Sequence, residues 1–217
     1  MDDLRVVVTV WYNFSKEEFH MRRLLVDEVV SSWHNGGSIE TTYSNDEVME
    51  AVYRSITGTN RFNAVTEQRH TVFTHSWYVG ILAADLAPDE LKDLARLMGM
   101  VHDFGETVVG DFVMPMKSGA YKEVYEEYYL PLELAFRSFV GEEVLGIFGF
   151  DGKFKSVKEH VDRADSIVGD LELYGDVLDM DDETHRMVNT LFDEMEASVS
   201  VEEFDDTLRQ LAGKFAG

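Results

Sequence analysis

The stretch Met100-Val101-His102-Asp103-Phe104-Gly105-Glu106-Thr107-Val108-Val109-Gly110-Asp111 decides how this chain reads. It sets an imidazole and a carboxylate side by side, with apolar residues before them and glycines after. Imidazole nitrogen and carboxylate oxygen suit a hard or borderline divalent metal. Neighbouring residues on a helix point about 100° apart. His102 and Asp103 can therefore share one ion near a helix end, or beside a helix with both side chains leaning in. Gly105 fits such an end. Glu106 follows Asp103 by three positions, which brings it near on a continuing turn.

Working outward, the pattern is helical on both sides. Ser44 and Glu47 match a capping box, and Val48, Val52 and Ile56 mark an apolar face. Residues 58–69 read as a loop. A helix from about Val72 to Leu86 carries His75, flanked at helical spacing by Val72, Val79 and Leu82. Pro88-Asp89-Glu90 starts the next helix, which runs to His102-Asp103. Residues 105–119 read as a loop or broken helix, and a long aromatic-rich helix from about Ala120 to Val140 contains Pro131, a kink signal. A helix from about Phe154 to Tyr174 carries Asp165 close to the apolar side set by Val161, Ala164 and Val168. A carboxylate there is costly unless it is paired or ligates a metal. Two amphipathic helices, near Asp182–Ser198 and Val201–Phe215, follow. His75 and Asp165 thus join His102 and Asp103 as candidate ligands.

Residues 1–45 read differently. Leu4–Tyr12 is rich in Val, Thr and aromatics, as strands are. Ser15 and Glu18 open a helix that carries Phe19 to Trp33, Asn35-Gly36-Gly37 ends it, and Ile39–Tyr43 reads as a second short strand. The expected architecture is mainly α: a helical bundle over residues 46–217 with a small α/β addition over 1–45. The need to cover the edges of a short sheet motivates an expectation of pairing with a second subunit.

Composition excludes several classes. The 217 residues carry a formal net charge of -23, which argues against binding a nucleic-acid polymer through its backbone. The same field repels an anionic substrate, so a site for one needs a local positive spot, from a metal and placed cations. No apolar run is long enough to span a membrane, the first residues do not form a secretory signal, and the absence of Cys removes disulfides and thiolate ligands. These features fit a cytoplasmic protein. The phosphate loop, the nucleophile elbow and the zinc-protease His-Glu-x-x-His are all absent.

The run His102-Asp103-x-x-Glu106 followed by Gly110-Asp111 resembles the central motif of the HD-domain 5′-deoxynucleotidases, within the HD phosphohydrolase superfamily. Thr74-His75-Ser76 is similar to that family's first metal histidine, Asn60-Arg61-Phe62 to the Arg-aromatic pair that precedes it and contacts the nucleotide, and Arg163-Ala164-Asp165 to its final Ala-Asp. Pro115 and Lys117 fall where the family has a Pro and a Lys. The resemblance covers roughly residues 55–175. Thr74 and Asp162 stand where the family often has Glu and Lys, departures that bear on substrate rather than metal.

The resemblance implies an HD helical fold and a divalent ion (cobalt, manganese, iron, zinc or magnesium) held by His75, His102, Asp103 and Asp165. Such an ion lowers the pKa of water and supplies a nucleophile near neutral pH. Glu106 would orient or deprotonate that water. A catalytic part is implied for Asp111, either as proton donor to the leaving oxygen or as a holder of the sugar. Arg61 would clamp phosphate, Phe62 would pack on base or sugar, and Lys117 would add a second cation. The implied reaction is hydrolysis of deoxynucleoside monophosphates to nucleoside and phosphate. Release of triphosphate from deoxynucleoside triphosphates, with Arg69, His70 and Lys117 serving the longer chain, and a non-catalytic nucleotide-binding module are the alternatives.

Overall fold

The computed structural model describes residues 16–59, 61, 71–110, 119, 121–174 and 199–217, with side chains from residue 25 onward. All regular elements among these residues are helical. In chain order they are α1 (Lys16–Gly36), α2 (Asn45–Gly58), α3 (Val72–Leu86), α4 (Lys92–Val101), α5 (Glu106–Val109), α6 (Lys122–Val124), α7 (Leu130–Phe139), α8 (Phe150–Tyr174) and α9 (Val201–Gly213). A 3-10 turn, Asp89–Leu91, leads into α4, and π turns at Tyr125–Tyr129 and Val140–Val144 flank α7. The strand expected at Leu4–Tyr12, the Ser15 cap and the helix expected near Asp182–Ser198 lie outside the described residues.

Local chemistry sets the element ends. Ser44 and Glu47 form the expected capping box on α2, the Ser44 amide donating to Glu47 Oε2 at 2.8 Å. α3 carries a box of its own, with Thr71 and Thr74 exchanging backbone and hydroxyl hydrogen bonds. α1 stops at Gly37, whose φ of 69° suits glycine and whose amide donates to Trp33 O at 2.8 Å.

The second strand expected at Ile39–Tyr43 is not formed; the segment is irregular. Glu28 accounts for this. Its carboxylate accepts from the Thr41 hydroxyl at 2.9 Å, the Thr42 amide at 2.9 Å and the Thr42 hydroxyl at 2.8 Å. With the Glu40 amide donating to Ser32 Oγ at 3.0 Å and the Tyr43 amide to Thr41 Oγ1 at 3.2 Å, three of the segment's backbone donors are tied to side chains rather than to a strand ladder. Leu25 and Val29 are buried in the same core as Val48, Val52 and Phe104, and α1 packs on α2, α5 and α7.

The centre of the bundle is α3 packed on α4, with α8 across both. Two glycines let α3 and α4 approach closely. A Cβ on Gly99 would lie 2.7 Å from Gly80 Cα and 2.9 Å from Gly80 N, so only glycine fits at this crossing. α9 closes one side. Its Phe204 is fully buried among Phe73, Trp77, Tyr53 and Phe104, with ring centroids 4.8, 5.9, 5.9 and 6.4 Å away. The aromatic-rich helix divides its tyrosines. Tyr125 is buried and donates to Glu133 at 2.7 Å, whereas Tyr121 and Tyr128 face outward. Pro131 has no amide hydrogen, and in α geometry its ring would strike a carbonyl four residues back. The π turn just before it, in which the Leu130 amide reaches Tyr125 O, widens the helix where the proline ring needs room.

Candidate metal centre

The His-Asp pair lies where α4 ends. Beyond Val101 the chain tightens into i→i−3 hydrogen bonds: Phe104 N to Val101 O at 3.1 Å, Glu106 N to Asp103 O at 2.9 Å and Thr107 N to Phe104 O at 3.1 Å. In this tighter turn the fully buried Phe104 roots the segment in the core. His102 is pinned by its own helix, since Nδ1–H donates to Gly99 O at 2.6 Å. Its Nε2 then lies 3.1 Å from Asp103 Oδ2. The two neighbouring side chains therefore lean toward one point at a helix end.

α3 and α8 supply the rest. His75 is fully buried, one and a half turns before the Gly80 crossing, and its ring centroid is 5.3 Å from that of His102. His75 Nε2 lies 2.9 Å from Asp165 Oδ1 and 3.7 Å from Asp103 Oδ2, and His102 Nε2 lies 3.8 Å from Asp165 Oδ1. On the far side, His75 Nδ1 is 3.1 Å from Glu172 Oε2. A carboxylate only accepts, so this nitrogen carries a proton. Nε2, facing Asp165 and Asp103, donates to Asp165 here and would turn its lone pair to an ion bound in their midst. Arg61 lies over the group, its Nη1 3.0 Å from Asp103 Oδ2, its Nη2 4.0 Å from Asp165 Oδ1 and its Nε 3.2 Å from Glu172 Oε2. The side chain of Asp165 is 45% exposed while those of His75 and Glu172 are sealed. The site thus has a buried back wall and an open edge.

The electrostatics favour positive charge at this point. Burial works against ionisation of Asp103, yet His102, Arg61 and His75 hold its carboxyl well below the usual range. Asp165, also opposed by burial, is held low by hydrogen bonds from His102 and His75. Burial opposes a charge on His102, but Asp103 and Asp165 push its pKa up to about 10. Burial and Arg61 act against a charge on His75, and Glu172 and Asp165 outweigh them. Converging carboxylates are tolerable only with positive charge among them, supplied here by Arg61 and the protonated imidazoles, whose place among the carboxylates a metal ion could take. His102 Nε2 is buried and faces carboxylate oxygens only, Asp103 Oδ2 at 3.1 Å and Asp165 Oδ1 at 3.8 Å, the donor set that would surround an ion placed between them. Two imidazole nitrogens with each Nδ1–H anchored, plus carboxylate oxygen, fit a divalent ion. The nearest ligand atoms of His75, His102 and Asp103 lie within 4.8 Å of one another, so these three could hold one ion.

The sequence reading named five of the residues brought together here: His75, His102, Asp103, Asp165 and Arg61. Glu106, also named, is buried in the first turn of α5, its amide bonded to Asp103 O. Phe62, Asp111 and Lys117 lie outside the described residues. Glu172 was missed. Its signal was present, because it follows Asp165 by two turns on a face whose neighbours Val168 and Leu171 are buried, and an acidic residue there needs a partner.

A helical bundle that gathers histidines and carboxylates from separate helices around one cation position defines a class of α-helical metal centres. The HD-domain family model matches residues 72–186, just over half of the chain, and the protein belongs to that family. HD-domain proteins are generally metal-dependent phosphohydrolases. Comparison with curated proteins and with solved structures returned no match. Among the described residues no helix is long and apolar enough to cross a membrane.

Proposed function

We propose that this chain is a metal-dependent nucleotide phosphohydrolase acting as a 5′-deoxynucleotidase, which converts deoxynucleoside monophosphates to nucleoside and phosphate. One observation carries the proposal: two imidazoles and two carboxylates converge beneath an arginine at the open edge of the site. His75, His102, Asp103 and Asp165 would hold the ion. When bound, a divalent ion supplies Lewis acidity toward water and phosphoryl oxygen. Arg61, already beside Asp103, turns its fork to the phosphate oxygens and supplies the local positive charge that a chain of net charge -23 otherwise lacks. Glu106, buried one turn after Asp103, takes the proton of the attacking water. Asp111 serves the leaving oxygen, Phe62 packs on base or sugar, and Lys117 adds a cation; these roles rest on the sequence motif alone.

The test is a product assay on Mn²⁺-loaded protein with a panel of deoxynucleoside mono- and triphosphates, read by chromatography. Nucleoside and phosphate from monophosphates are expected. Intact triphosphate as a product would replace the proposal with a triphosphohydrolase. No turnover by protein that holds metal would replace it with a binding module. In the same assay Asp103→Ala should lose metal and activity together. Glu106→Ala should keep metal and lose at least 100-fold in turnover, the usual scale of a general base; full activity would remove Glu106 from its role.

A further inference from the structure

We infer that Glu172 is a positioning residue that fixes a metal-facing histidine and the phosphate-facing arginine to each other. The inference rests on the phosphohydrolase reading and extends it to a residue outside the family's motif. The Glu172 side chain is wholly sealed from solvent. One oxygen, Oε2, makes both contacts, a hydrogen bond of 3.1 Å with His75 Nδ1 and an ion pair of 3.2 Å with Arg61 Nε, without hydrogen-bond alignment at the latter. The other, Oε1, is buried with no hydrogen-bond partner among the described residues. A buried carboxylate is strongly unfavourable unless it is paired, and on this face of α8 the neighbouring core positions are Ala164, Val168 and Leu171. Packing alone would favour an apolar residue at position 172. What the carboxylate adds is two oriented partners, both in the site.

The two contacts act differently. Toward His75, Glu172 fixes the tautomer and the ring plane, so that Nε2 faces Asp103 and Asp165. Toward Arg61, it lies behind the guanidinium at Nε, while Nη1 and Nη2 face Asp103 and Asp165 near the open edge. An ion pair behind Nε draws that end of the guanidinium inward and leaves the terminal fork toward the open edge, a planar arrangement Lys cannot copy. A single oxygen thus sets both the direction of a metal ligand and the direction of the phosphate clamp, and the two binding events share one alignment.

Four full-length proteins test this: wild type, Glu172→Gln, Arg61→Ala and the double variant. Circular dichroism and thermal melting establish folding. Calorimetric titration then gives affinity for Mn²⁺ alone, and for inorganic phosphate on Mn²⁺-saturated protein. Glu172→Gln should weaken Mn²⁺ about 10–100-fold and phosphate roughly tenfold at saturating Mn²⁺. In the Arg61→Ala background the same change should again weaken Mn²⁺ but leave phosphate affinity unaltered. Unchanged Mn²⁺ affinity in folded Glu172→Gln overturns the His75 contact. Unchanged phosphate affinity, or an equal phosphate loss with and without Arg61, overturns the Arg61 contact. If Glu172→Gln does not fold, Arg61→Lys carries that half. It keeps the charge without the Nε anchor, so phosphate should weaken roughly tenfold with Mn²⁺ retained, and unchanged phosphate affinity overturns it. Wild-type protein that binds Mn²⁺ but neither binds phosphate nor turns over a nucleotide sinks the phosphohydrolase reading and the Arg61 half with it. The His75 half then stands or falls on the Mn²⁺ titration.

Discussion

Phe104 separates the residues that face the cation position from the core beneath them. His102 and Asp103 turn toward the site, and the next side chain is fully buried against Phe204 of α9, ring centroids 6.4 Å apart. The turn after Val101 is held by only a few short-range hydrogen bonds, so this aromatic anchor keeps both ligands in place. Phe104→Ala should destabilise the fold by about 3–5 kcal/mol, the usual cost of an aromatic-to-alanine cavity, lowering Tm by roughly 10 °C for a chain of this size. Scanning calorimetry reads that loss, and Mn²⁺ titration below the new transition should show weakened binding. Phe104→Leu should retain most of both. Mn²⁺ affinity unchanged in Phe104→Ala would mean that the turn holds its shape without the anchor. At this scale the sequence was legible where the chemistry is adjacent: His102 and Asp103 are neighbours and Glu106 lies one turn on. For Glu172 it offered only an acidic residue on an apolar face, and the partner that gives it meaning is a histidine 97 positions away.

Between elements, the decisive contact is the glycine crossing of α3 and α4, because it sets how far His75 stands from His102. A Cβ on Gly99 would meet only backbone, Gly80 Cα at 2.7 Å, Gly80 N at 2.9 Å and Val79 C at 3.0 Å. No side chain can rotate away, so the helices must separate. Gly99→Ala should therefore weaken Mn²⁺ binding while far-ultraviolet circular dichroism still reports native helix content. Retained metal affinity would show that the crossing is softer than its geometry implies. A second prediction concerns Glu28, the tie between α1 and the segment before α2. The Thr42 amide, aided by both threonine hydroxyls, holds its carboxyl below the ordinary value. A depressed carboxyl contributes stability above its unfolded pKa of about 4.3 and loses it as pH falls through the folded value. Glu28→Ala should lower Tm by roughly 2–4 °C at pH 7, and the gap to wild type should close as pH drops below 4. A gap constant with pH would exclude an ionised tie. Glu28 also explains one misreading. Ile39–Tyr43 has strand-like composition, but Glu28 of the preceding helix takes the Thr42 amide and Ser32 the Glu40 amide, and composition does not show that. The ends of α3 and the cap of α2 were legible because their signals lie within a few residues. Pro131 signalled a disturbance without disclosing that a π turn would absorb it.

For the molecule as a whole, acidity and metal binding predict opposite dependences on the kind of salt added. A net charge of -23 makes the folded state repel itself, and any electrolyte relieves part of that by screening. A specific ion at the His75, His102 and Asp103 cluster acts differently, since it binds the native arrangement and stabilises it by mass action, about 2.7 kcal/mol when the ion is present at a hundredfold its dissociation constant. Mn²⁺ should therefore raise Tm by roughly 5–10 °C, well beyond NaCl at equal ionic strength, and a chelator should reverse the shift. Asp103→Ala supplies the control. It leaves almost all of the surface charge intact, so its response to NaCl should match wild type, while the extra Mn²⁺ shift should vanish. If Mn²⁺ stabilised Asp103→Ala as much as wild type, the effect would belong to the acidic surface, and the convergence of side chains at the end of α4 would not be a metal centre.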